Sequence, residues 1–188
     1  MEHYKIFSIV AGIVFVSAFI PYFIAIFRNQ TKPQKTSWLV WAALDTLALT
    51  GMIKEDVVNG QIVGAVCCAW FVFLLAVKKG KPGWTNLDRA CLLFGFAGAV
   101  LWIIYGNATS GIVAASVGLI IAAIPTFKSA WYTPEHENKL AWAIFWISCV
   151  FTLLSVESWN INSGSQPISF FIIESVVVGI LFFKKRKA

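Results

Sequence analysis

A chain of 188 residues that is 59% hydrophobic, only 13% charged and has a mean hydropathy of +0.76 is too apolar for a soluble domain, where about a quarter of residues are charged. The net charge of +6 does not point to nucleic acid, because the basic residues sit between apolar segments rather than in one patch. Composition therefore predicts an all-α integral membrane protein with no soluble domain.

Seven apolar segments are predicted, each approaching the roughly 20 residues a helix needs to cross the hydrocarbon layer. The first, 5–27, carries Pro21 near its end. It is too long for a signal-peptide core and has Lys5 alone before it, so it is expected to be retained. The loop that follows holds Arg28, Lys32 and Lys35. Segment two, 36–53, brings Trp38, Trp41 and Asp45 onto one helical face. Segment three, 57–77, contains Cys67, Cys68 and Trp70, and segment four, 86–105, follows a loop with Lys78, Lys79 and Lys81. Segment five, 109–130, carries Pro125, and segment six, 139–157, carries Trp142, Trp146 and Cys149. Segment seven, 166–183, holds Glu174 and ends in the basic tail Lys184, Lys185, Arg186 and Lys187. Of the 15 basic residues, 13 fall on one side of this arrangement and only Lys5 and Lys54 on the other. The positive-inside rule then places the amino terminus outside and the carboxyl terminus in the cytoplasm.

A faint duplication runs through the chain. Ile20-Pro21-Tyr22-Phe23 returns 104 residues later as Ile124-Pro125-Thr126-Phe127, and without a gap Lys35 falls on Lys139, Trp38 on Trp142 and Leu49 on Leu153. Segments one to three thus map onto five to seven, and segment four restores the orientation that an odd unit reverses. The expected organisation is a three-helix bundle at 1–80, a linker helix at 81–106 and a second, parallel bundle at 107–188. Duplicated membrane units are a recurring plan of small-molecule transporters, with the site between the repeats.

With this plan and these prolines the chain resembles the PQ-loop/SWEET-like superfamily of sugar transporters, cystinosin-type exporters and the KDEL receptor; PnuC vitamin transporters share the fold. The family closes the first helix of each repeat with a Pro-Gln pair. Pro21 and Pro125 match the proline, while Tyr22 and Thr126 replace the glutamine; Pro33-Gln34 lies in the loop instead. Thr31-Lys32 followed by Ser37 resembles the basic loop after that motif in sugar transporters, and the Trp-rich starts of segments two and six look like a branch of small bacterial membrane proteins. The resemblance implies a seven-helix 3+1+3 transporter, in a bacterial inner membrane, with tryptophans and asparagines in a central pocket. Here Asn59, Asn107, Asn160 and Asn162 all lie near segment ends instead.

Asp45 and Glu174 are the two carboxylates near the middle of segments. Such groups cost about 2.5 kcal/mol or more on insertion scales, so they face a cavity or a polar partner. One reading makes each a proton-coupling acid or a substrate acceptor; the other ties it to a neighbouring hydroxyl such as Thr46 or Ser169. The expected binding set is Trp41, Asp45, Trp146, Cys149, Trp70 and Glu174, where Cys149 aligns with Asp45 and Trp70 with Glu174. Trp38 and Trp142, beside the basic loops, are read as membrane-belt residues. Pro21 and Pro125 are expected to act as paired hinges. The four cysteines read as small packing residues, and Gly95, Gly98, Gly111 and Gly118 as sites of close helix contact. Trp102 to Gly106 resembles a turn of sugar transporters but lies in the linker helix.

No phosphate loop, metal cluster or histidine-paired nucleophile is seen, and segment seven has no lysine for a retinal. The expectation is a transporter of a small polar or heteroaromatic solute, with protons as a further partner, no cofactor and no enzymatic activity. Its surroundings are the lipid bilayer, as monomer or homo-oligomer. The alternative is a ligand-binding membrane receptor or sorting protein, with the basic tail as its recognition element.

Overall fold

The computed structural model describes residues 2–81 and 85–184. The basic tail beyond Lys184 lies outside them, as do the side chains of Gly95, Gly98 and Trp102. Seven α-helices are seen: α1 (Glu2–Phe27), α2 (Lys35–Lys54), α3 (Gly60–Lys79), α4 (Asn86–Tyr105), α5 (Ala108–Tyr132), α6 (Lys139–Leu154) and α7 (Ile161–Phe183), with a 3-10 turn at Pro134–His136 before α6. Among the described residues five helices, α1, α2, α3, α5 and α7, are long and apolar enough to cross a membrane, as expected of a helical membrane protein. The sixth predicted segment is shortened: α6 has 16 residues, about 24 Å against a hydrocarbon layer of about 30 Å. Its last turn closes at Ser155, whose N–H meets the carbonyls of Phe151 and Thr152. The seventh is lengthened, because Asn160 caps a polar first turn through Asn162 and Ser163 that hydropathy passes over.

The asparagines near segment ends are mainly helix caps. Asn59, Asn107, Asn138 and Asn160 each accept from the backbone N–H of the first turn of α3, α5, α6 and α7. This satisfies donors that would otherwise be orphaned at a helix start.

Helix packing runs α1–α3–α2–α5–α7–α6 and back to α1, a closed ring of six, with α4 outside against α5 and α2. At one end of the ring the basic loops touch one another: Lys32 N–H donates to His136 O (3.1 Å) and Lys81 N–H to Pro33 O (3.2 Å). At the opposite end Gly60 N–H donates to Ser8 Oγ (2.8 Å), and Asn162 Nδ2 to Glu55 Oε2 (2.8 Å). Pro21, Pro125 and also Pro167 lie inside α1, α5 and α7. A third interior proline was not foreseen.

Helices α1 and α3 cross at glycines. A Cβ on Gly12 would lie 2.8 Å from Gly60 O, and one on Gly60 would run into Ser8 O. The backbones meet there because no side chain intervenes. Gly60→Ala is expected to destabilise the protein by about 1–3 kcal/mol through overpacking, read as a fall of several degrees in the melting temperature of the detergent-purified chain. A change at exposed Gly106, where nothing lies within 4 Å of an added Cβ but φ is +72°, tests strain without crowding.

Candidate functional site

The ring encloses a cavity of about 40 Å³ to which all six of its helices contribute, room for about three water molecules. From α2, Trp38, Trp41 and Asp45 point inward at spacings of three and four, one face of the helix. Opposite them α6 presents Trp142 and Phe145, and α1 presents Phe15 and Phe19. Ala65 and Ala69 of α3 leave space, Leu119 of α5 closes one side, and Phe170, Ile173 and Glu174 of α7 complete the wall. The rings form a continuous edge-to-face chain: Trp38–Trp41 (5.1 Å), Trp41–Trp142 (6.4 Å), Trp142–Phe145 (5.8 Å) and Phe145–Phe19 (4.7 Å) between centroids.

Asp45 is 3% exposed and Glu174 7%. Asp45 Oδ1 and Glu174 Oε2 have no hydrogen-bond partner, and no ion pair reaches either carboxyl among the described residues. The neighbouring hydroxyls are engaged elsewhere: Thr46 donates to Ala42 O (2.7 Å) and Ser169 to Gln166 O (2.8 Å). Two buried acids thus face one aromatic cavity with nothing to balance them, where burying an unpaired charge is costly.

The structure brings Trp41, Asp45 and Glu174 together and leaves the other expected binding residues aside. Trp146 turns toward α7, donating to Ser175 Oγ (2.9 Å) and stacking on Phe171. Without a gap its place opposite Trp41 belongs to Phe145, which does line the cavity. Trp70 is 39% exposed and donates to Thr46 Oγ1 (3.1 Å); Ala69, one residue earlier, faces the cavity. Cys149 is buried outside the cavity lining, its Sγ beside Gln61 Nε2 (3.3 Å). Trp38 and Trp142 are not belt residues: at 5% and 1% exposure they are core, drawn inward by the face they share with Trp41 and Phe145. Cys67 is exposed rather than packed.

Two polar features at the ends of the ring were not foreseen. Toward the end opposite the basic loops, an amide chain joins four helices: Asn59 Nδ2 to Gln166 Oε1 (2.7 Å), Gln166 Nε2 to Gln61 Oε1 (3.4 Å), Gln61 Nε2 to Ser148 Oγ (3.0 Å) and Ser148 Oγ to Ala11 O (2.9 Å). The signal was two glutamines at the edges of apolar segments. At the basic end, buried Glu137 accepts from Ser129 Oγ (2.7 Å) and from the indole N–H of the cavity residue Trp142 (3.1 Å). Its signal was a lone pair of acids, Glu135 and Glu137, in a loop flanked by lysines. Among the described residues no group of histidines, cysteines and acids is placed to hold a metal.

No protein-family model, curated protein or solved structure matches this chain.

Burial raises the Glu137 carboxyl from 4.5 to about 7, against the opposing pull of its two donors and of Lys81. The folded acid therefore binds its proton at a pH where the unfolded one has lost it, and stability falls as pH rises from about 4.5 to about 7, then levels off. The full change is on the order of 3 kcal/mol. His136, lowered by burial and by Lys81, acts in the opposite sense below 6.5, so wild type is compared with Glu137→Gln. The melting temperature of the variant is expected to lack the decline between pH 5 and 7; equal slopes would show that Glu137 does not titrate there.

Proposed function

We propose that the chain is a transporter of a small solute, working by alternating access at the aromatic cavity between two parallel three-helix halves, with α4 as linker. The observation that carries this reading is the cavity itself: lined by all six helices of the ring and faced by two unpartnered acids. Residues 1–80 and 107–188 are the two halves. The packing order α1–α3–α2 in the first matches α5–α7–α6 in the second. The lining supports the same division, since most of its residues, though not Phe19, Asp45 or Ile173, fall into corresponding pairs: Phe15 with Leu119, Trp38 with Trp142 and Trp41 with Phe145, each 104 apart. Ala65 with Phe170 and Ala69 with Glu174 follow at 105, so one extra residue enters before α7. Pro21 and Pro125 serve as hinges, each leaving one carbonyl of its helix without its usual N–H. The basic loops at one end support, by the positive-inside rule, a cytoplasmic side there with the amino terminus outside, and the inner membrane of a bacterium is the setting that the family resemblance implies.

In proteoliposomes the purified chain is expected to accumulate a labelled solute, with Asp45→Asn and Glu174→Gln each lowering uptake tenfold or more while both elute as folded protein. Unchanged uptake and unchanged pH dependence in both variants would remove the acids from the mechanism.

A further inference from the structure

The chemistry of the cavity wall is one-sided. Of the three indoles at the wall, Trp41 spends its N–H on Leu119 O (3.0 Å) and Trp142 on Glu137, so both offer ring surface rather than a donor. Trp38 packs against Tyr22, at 5.5 Å between centroids. No lysine, arginine, serine, threonine or amide side chain lines the cavity; its other polar side chains are the carboxyls of Asp45 and Glu174. A sugar or nucleoside has acceptors of its own and would bury them here with few donors to meet them. A cation has no such need. Aromatic faces attract positive charge, and a carboxylate beside them supplies the counter-charge that a dry cavity otherwise lacks.

We propose that the solute is a small organic monocation of the alkylammonium class, caged by Trp38, Trp41, Trp142 and Phe145, its charge met by one carboxylate of the pair Asp45 and Glu174 while the other acid holds a proton. This rests on the transporter reading above. Tyr22 on α1 and Cys149 on α6 sense the charge of Glu174, and neither brings a positive charge. The acids come from different halves, so the cation bridges α2 and α7. The roughly 40 Å³ of the closed cavity favours a compact head group over a sugar ring.

The test uses the full chain in detergent. Choline chloride is titrated against its uncharged isostere 3,3-dimethylbutan-1-ol, with glucose, nicotinamide and sodium chloride alongside, following tryptophan fluorescence and melting temperature. Choline is expected to saturate and to raise the melting temperature, the isostere to bind at least tenfold more weakly, and Asp45→Asn to lose at least tenfold in choline affinity while retaining the wild-type helical circular dichroism. Glu174→Gln provides the second reading if the Asp45 variant fails to fold. Equal binding of the isostere, or binding of glucose or nicotinamide in place of choline, overturns the cation assignment and leaves the transporter reading standing. An equal response to sodium overturns the organic class. Saturable choline binding with no movement of choline or any other panel solute in proteoliposomes supports the cation site and overturns transport instead. No saturable response to choline overturns the proposal.

Discussion

In a bilayer nothing squeezes helices together as water does, because the lipid tails are as apolar as the side chains. A ring of six helices must therefore be closed by contacts that hold without a hydrophobic gradient, and the two seams α2–α5 and α1–α6 are where this is done. Ser37 Oγ donates to Ala122 O (2.6 Å) and receives Thr126 Oγ1 (3.0 Å), while Trp41 Nε1 reaches Leu119 O. Across the other seam Ser148 Oγ reaches Ala11 O (2.9 Å) and Asn138 Nδ2 reaches Pro21 O (3.2 Å). In every case but the Thr126–Ser37 bond a side chain donates to a backbone carbonyl, which has a second lone pair to spare, so the helices are tied together without losing their own bonds. The same bonds cluster at the prolines. One lands on the carbonyl of Pro21 itself, and those of Ser37 and Thr126 flank Pro125. The seams and the weak points of the two long helices are thus one feature, and the Trp41 bond that fixes a seam also turns its ring face toward the cavity.

The polar features at the two ends of the ring differ in kind. The amide chain of Asn59, Gln166 and Gln61 is neutral, and its longest link, Gln166 to Gln61 at 3.4 Å, lies at the limit of a hydrogen bond. At the basic end Trp142 donates to Glu137, whose carboxyl is raised by burial to about 7, so that bond becomes charge-assisted only as the proton is lost.

Much of this was legible in the sequence because helix length and apolarity are additive local properties. Six of the seven segments were bounded to within a few residues at most ends. Start points failed where polar caps precede the apolar run, as at Asn160, and α6 ended early because Ser155 closes it. The site was legible only as a face: Trp41 and Asp45 share one, and Glu174 is an isolated acid. Which side of each helix meets the ring depends on tertiary contacts, and a single-residue shift decides it. Phe145 replaces Trp146, and Ala69 replaces Trp70, because successive residues of a helix are about 100° apart. Trp38 and Trp142 were read by their nearness to basic loops, a signal that belt and core residues share. The glutamines acquire meaning only through partners distant in sequence, and Glu137 only through the fold that buries it between Ser129 and Trp142.

The placement of the two acids carries a consequence for how charge and motion are linked. Asp45 belongs to α2 and Glu174 to α7, which the proposed division assigns to different halves, and neither has an acid at its counterpart position in that alignment. Any motion that separates the halves changes the distance between the carboxyls and admits water to them. Under the proposed function the closed arrangement is favourable only when both acids are neutralised, by two protons or by one proton and a bound monocation, because an uncompensated carboxylate buried in an aromatic cavity has lost its hydration. A requirement of neutrality for closure is the differential interaction that couples a ligand to a conformational change. It arises here from where two side chains sit, with no further device in the fold.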